Sequence, residues 1–174
     1  VTFSFTGQVL EDLSKIADGN EFKFMVTATD AAGNQSSSVS GNHIKYDITR
    51  PTVSSIVVPS LINNTLSTTN VLVTFSKPIQ SFAAADIAIE DSSSTVRASI
   101  DSVTAHPSIA NAYNVVITGN ANEAAEDCKA TIGQNWSDLA GNAPAANSES
   151  STFIIDRVNP SAKTTSSVTG SGAS

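Results

Sequence analysis

Asp138-Leu139-Ala140-Gly141-Asn142, followed by Phe153-Ile154-Ile155-Asp156 and Asn159-Pro160, repeats a block met earlier as Asp30-Ala31-Ala32-Gly33-Asn34, Ile44-Lys45-Tyr46-Asp47 and Arg50-Pro51. The offset is 108 residues at the glycine (Gly33 against Gly141). It is 109 at the closing aspartate (Asp47 against Asp156) and at the proline (Pro51 against Pro160). Self-similarity at a fixed period dictates architecture, since each copy is one structural unit beside the next, and it moves the expected role from catalysis towards spacing or adhesion. A period of this length suits one domain of ordinary size. The 174 residues therefore read as a slice of an array. Residues 1–50 are the C-terminal part of a first unit, 51–158 a complete second unit, and 159–174 a Ser/Thr/Gly-rich linker or the start of a third.

Outward from the repeated block, apolar and polar residues alternate in short runs separated by Gly, Asn, Asp and Ser: 1–5, 21–28, 44–46, 53–58, 71–75, 87–89, 98–103, 113–117, 128–132 and 152–155. A period of two marks half-buried strands, and many short runs at this spacing predict an all-β sandwich. Seven of the runs fall within 51–158, enough for two packed sheets. The few in 1–50 would leave an open edge and an uncovered apolar face, so strands lying upstream or belonging to another copy are expected to complete them. Helix is confined to two candidate turns, 8–16 and 81–86, the second capped by Ser81. The link around Arg50-Pro51 is short, and the proline holds Arg50 extended, which predicts a semi-rigid string of units.

Forty per cent of the residues are hydrophobic but only 6% aromatic and 14% charged, so the core is built from Val, Ile, Ala and Leu and the surface from Ser, Thr, Asn and Gly. Sixteen acidic against nine basic residues give a net charge of −7, which argues against nucleic acid and anionic lipid as partners and leaves room for divalent cations. Cys128 is the only cysteine, so no intrachain disulfide forms and it reads as a small buried apolar residue. No apolar run reaches the roughly 18 residues of a membrane span, and 1–5 opens in a strand-like pattern instead of a leader, so the natural N-terminus is expected upstream.

Asp-x-x-Gly-Asn has two readings. As a tight turn, Asp accepts backbone N–H groups, Gly supplies a positive φ and Asn tolerates the left-handed region. As a cation site, the Asp30, Asn34, Asp138 and Asn142 side chains contribute oxygens to Ca²⁺, which takes about six to eight. Such a short turn supplies only two or three of these, so Asp47 and Asp156, just before the linker prolines, are the candidates for completing the shell. An ion shared across the joint would stiffen it.

Other chemistry-bearing residues read as structural. Glu123, Glu126 and Asp127, and the pair Glu90-Asp91, could serve as the acid and base of a glycosidase, but no aromatic platform surrounds them and they read as solvated surface. His43 and His106 lack partners at metal spacing. Trp136, beside the second Asp-x-x-Gly-Asn, is expected to pack over one end of the sandwich. Sequons at Asn34, Asn63 and Asn135 matter only in a glycosylating pathway.

Several stretches together resemble the bacterial Ig-like repeats of very large secreted surface and adhesin proteins. They are 73–89, with Phe75-Ser76-Lys77-Pro78 and Ala85-Asp86-Ile87; 113–119; Trp136 to Asn142 with Phe153 to Asp156; and 24–53, with Val26-Thr27-Ala28-Thr29-Asp30 and Tyr46-Asp47. The likeness covers most of 21–160. It implies tandem Ig-like Greek-key sandwiches, the first incomplete here, serving as extender or adhesive modules, often with Ca²⁺ at the joints. The calcium positions it implies are Asp30, Asn34, Asp47, Asp138, Asn142 and Asp156. Such linkers often run Asp-Thr-Thr-x-Pro; here they are Asp47-Ile48-Thr49-Arg50-Pro51 and Asp156-Arg157-Val158-Asn159-Pro160, and the second has lost both threonines.

The expected function is thus a non-enzymatic spacer or adhesive stalk of a secreted or cell-surface protein. Its partners would be neighbouring repeats or other copies of itself, with a host or matrix surface ligand also open, and without nucleic acid or membrane insertion. One alternative is a subunit of an extracellular filament or surface lattice, completed by strand addition along 1–5. Another is an accessory ligand-binding module of a secreted hydrolase.

Overall fold

In the strand Thr68–Phe75, Val71, Val73 and Phe75 are buried while the residues between them are partly exposed, so the two-residue period of the sequence becomes one inner and one outer face. The same alternation recurs along the chain in a computed structural model that describes residues 17–23 and 25–161. The strands are β1 (Glu21–Phe22), β2 (Met25–Val26), β3 (Val39–Ser40), β4 (Ile44–Lys45), β5 (Val53–Val57), β6 (Leu61–Asn63), β7 (Thr68–Phe75), β8 (Ile79–Gln80), β9 (Ile87–Glu90), β10 (Ala98–Ala105), β11 (Ala112–Gly119), β12 (Ala124–Ile132), β13 (Ser137–Asp138), β14 (Ser148–Glu149) and β15 (Phe153–Asp156). The protein is all-β: the described residues contain no α-helix, only a 3-10 turn at Ala84–Asp86. That turn is shorter than the sequence predicts, and its capping acceptor is Asp86, whose Oδ2 receives the Ala83 N–H at 2.8 Å, rather than Ser81.

Two larger sheets share one core. The first is antiparallel in the order β10-β11-β7-β5; the second runs β14-β12-β15-β6, with β9 on β12 and a parallel pairing of β15 with β6. Val71, Val73, Val115 and Ile117 of the first sheet meet Ile62, Ile89, Cys128, Ala130, Ile132 and Ile155 of the second, all fully buried, an arrangement consistent with a β-sandwich. At one end Phe75, Phe82, Tyr113 and Trp136 pack edge to face; the Phe75 and Trp136 centroids lie 4.7 Å apart.

β12 breaks strict alternation, since Ala125 and Cys128, three residues apart, both face inward. The pairing with β15 shifts register between them, and a bulge of this kind accommodates the extra residue. Glu126 and Asp127 lie in that bulge, which accounts for two acidic residues in the middle of a core strand.

Among the described residues before Val53 the strands form only two-stranded ribbons, β1 with β4 and β2 with β3, and Met25, Val39 and Ile44 are 61%, 71% and 42% exposed. The candidate strand at 1–5, the turn at 8–16 and the linker from 162 onwards lie outside the described residues.

Candidate functional site

Both Asp-x-x-Gly-Asn segments adopt the same turn. Asp138 Oδ1 accepts the N–H groups of Ala140 (3.0 Å) and Asn142 (2.8 Å), its Oδ2 accepts Asn142 Nδ2 (3.0 Å), and Gly141 takes φ +89°. In the first copy Asp30 Oδ1 accepts from Ala32 (2.9 Å) and Asn34 (2.8 Å), Oδ2 from Asn34 Nδ2 (2.9 Å), and Gly33 again has φ +89°. The side chains of the motif therefore hold their own backbone, as an Asx-type turn requires.

A third turn of this form was not singled out from the sequence, because it has neither the glycine nor the asparagine. Asp91 Oδ1 accepts from Ser93 (2.9 Å) and Thr95 (3.0 Å), while Ser94, at φ 58°, stands where the other turns have glycine. The shared signal is an aspartate two and four residues before the N–H groups it caps.

The second copy differs from the first in its surroundings. Asp138 is 1% exposed, and its Oδ2 also accepts from Lys77 Nζ at 2.9 Å. The same ammonium donates to Asp47 Oδ1 (2.8 Å) and Oδ2 (2.9 Å) and to the Thr49 carbonyl (2.7 Å). Asn142 Nδ2 reaches the Asp47 carbonyl at 3.0 Å. Further contacts fasten the link. Thr52 N–H donates to Ser76 Oγ (3.0 Å), Ser76 N–H to the Thr52 carbonyl (2.9 Å), and Pro51 is fully buried. On the other side, Asp18 accepts the Ile48 N–H at 2.7 Å and the Thr49 hydroxyl.

Three of the six candidate ligands, Asp47, Asp138 and Asn142, are thus brought together. Asp30 and Asn34 pair with each other at an exposed turn. Asp156, exposed at the end of β15, accepts the Val158 N–H at 3.1 Å, much as Asp47 accepts that of Thr49 at 3.2 Å. The sequence alone does not single out Lys77 or Asp18, although basic residues are scarce in this chain.

Electrostatically the surroundings favour the charged forms of Asp138 and Lys77. Burial alone would push the Asp138 carboxyl up, but Asn142, Lys77 and the backbone N–H groups overcome it and hold the pKa at about 2. Lys77 is raised, first by its hydrogen bonds to Asp47 and Asp138. Asp30 is lowered by Asn34, and Asp18 by Thr49 and the Ile48 N–H.

A divalent cation fits this joint poorly. Calcium needs about six to eight oxygens, and the four that converge here already surround an ammonium at hydrogen-bond distance. Among the described residues no group of three or more His, Cys, Asp or Glu is placed to hold a metal ion.

Several of the remaining candidates have structural partners. Arg97 joins Asp91 and Glu123, and Lys129 joins Glu149 at 2.8 Å. His43 Nδ1 lies 3.2 Å from Glu21, and His106 Nδ1 accepts the N–H groups of Ser108 and Ile109. Trp136 is buried and donates to the Gly133 carbonyl at 2.7 Å. Cys128 is buried, which pushes its thiol up and away from nucleophilic use. No protein-family profile, curated protein or solved structure matches this chain.

Proposed function

We propose that this chain is a non-enzymatic structural segment of a secreted or cell-surface protein, in which Ig-like sandwich units joined by short proline links act as a spacer or adhesive stalk. The observation that carries this reading is the fastening of link residues Asp47, Thr49, Pro51 and Thr52 onto Ser76, Lys77, Asp138 and Asn142 of the core-bearing region. A link held at so many points passes orientation from one unit to the next, as a stalk needs. Of the carboxylates that would serve a hydrolase, Asp91 caps a turn and Glu123 pairs with Arg97. Antibodies raised against residues 51–158 are expected to label intact, unpermeabilised cells that make the parent protein. Labelling only after permeabilisation would overturn the reading.

The exposed Met25, Val39 and Ile44 on the short ribbons favour a second reading, in which another copy of the chain covers them by adding strands. Sedimentation of the full chain over a hundredfold concentration range tests it. A monomer throughout excludes self-assembly.

A further inference from the structure

Of the three aspartate turns, two direct the same carboxylate oxygen at a basic side chain of this chain. In each, Oδ1 is taken by backbone N–H groups of its own turn. Asp91 Oδ2 is met by Arg97, whose Nε lies at 2.8 Å, and Asp138 Oδ2 by Lys77 at 2.9 Å. At the exposed Asp30 turn, Oδ2 is met by Asn34 and no ion pair forms among the described residues. The turn thus presents a carboxylate oxygen, and the fold supplies the cation from its own sequence.

We propose that Lys77 is the resident cation of the joint between Asp47–Thr49 and the Asp138 turn, filling by a covalently attached ammonium the place that the linker carboxylates would otherwise offer a divalent ion. An ammonium has three N–H donors. Here they are shared among the Asp47 carboxylate, the Thr49 carbonyl and the Asp138 carboxylate, so its bonding capacity is used in full. Lys77 is itself held between Ser76, bonded both ways to Thr52, and Pro78, whose ring restricts the lysine backbone to extended conformations. A divalent ion entering this shell would face the lysine charge within a few ångströms. The joint therefore closes without metal, and its order is insensitive to free calcium. This inference concerns the ion pair alone and stands whether or not the chain is a cell-surface spacer.

Hydrogen exchange of the Ile48 and Thr49 amides in the full chain tests it, with the core amide of Val73 as the internal reference for folding. In the unaltered protein, exchange at both amides is expected to be the same in millimolar calcium and in chelator. Lys77→Gln should speed exchange at both by about tenfold beyond any change at Val73, the loss of one charge-assisted hydrogen-bond network. Should Lys77→Gln fail to fold, Asp47→Asn removes the opposite partner outside the core and should give the same acceleration at Ile48, whose N–H is held by Asp18 and not by Asp47. Slowing by calcium that Asp138→Asn abolishes would overturn the proposal. So would exchange at Ile48 that is unchanged relative to Val73 in a folded Lys77→Gln or Asp47→Asn protein.

Discussion

One amide nitrogen of Asn142 bonds twice at 3.0 Å, to Asp138 Oδ2 inside its own turn and to the main-chain carbonyl of Asp47, 95 residues earlier. A residue chosen to close a local turn therefore also serves a long-range contact. Among the described residues its counterpart Asn34 makes the local side-chain bond only, at an exposed site.

Asn142→Ala should consequently cost about 1–2 kcal/mol of stability, since it strips a buried carboxylate and a linker carbonyl of a donor. Asn34→Ala, where water replaces the lost amide, should cost less than about 0.5 kcal/mol. Urea unfolding followed by the fluorescence of Trp136 separates the two; equal losses would mean that the contact with Asp47 contributes nothing.

The pH dependence follows from Asp138. Its folded pKa of about 2 lies below the ordinary aspartate value of 3.8. Its contribution is therefore fully present above pH 3.8 and is lost as pH falls through about 2. At about 1.4 kcal/mol per unit, the loss is roughly 2 kcal/mol. Unfolding free energies measured between pH 5 and pH 2 should show a component of this size that Asp138→Asn removes.

Backbone sign changes distinguish the turns. Gly141 sits at φ +89° with nothing within 4 Å of an added Cβ, so Gly141→Ala should lose about 1–2 kcal/mol through conformation alone. Ser94, at φ 58° in the equivalent place, already bears that strain. Ser94→Gly should be neutral or stabilise by up to about 1 kcal/mol, and thermal unfolding of the two variants should move in opposite directions.

Gly119 is constrained by space instead. A Cβ there would lie 2.9 Å from Ile62 Cγ2 and 3.2 Å from Ile155 Cγ2, both on β-branched side chains with little rotamer freedom. Gly119→Ala should therefore destabilise by about 1–3 kcal/mol by overpacking, and Gly119→Ala with Ile62→Leu, which removes the Cγ2 methyl, should recover part of the loss. Chemical denaturation of the pair measures the recovery; none would place the strain elsewhere.

The all-β class was legible because a two-residue period survives in β7, β9, β11 and β15, where one face is buried and the other is not. β6, β8, β13 and β14 were not legible: two or three residues carry no period, and their pairing is decided by strands distant in the chain. The bulge in β12 was hidden because an extra residue looks in sequence like an interruption, and only the partner strand reveals it as accommodated.

By itself the sequence determined what is local. Asp, the residue two places on and the glycine three places on make a turn wherever they occur, since every bond of that turn closes within five residues. Only the tertiary structure decided which aspartate acquires a charge partner. Lys77 lies 30 residues from Asp47 and 61 from Asp138. Coulombic and hydrogen-bonding partners are set by distance in space, and pairing β8 with β13 is what brings one ammonium within 3 Å of both carboxylates. The repeated block marked where the turns are; the fold made one of them a joint.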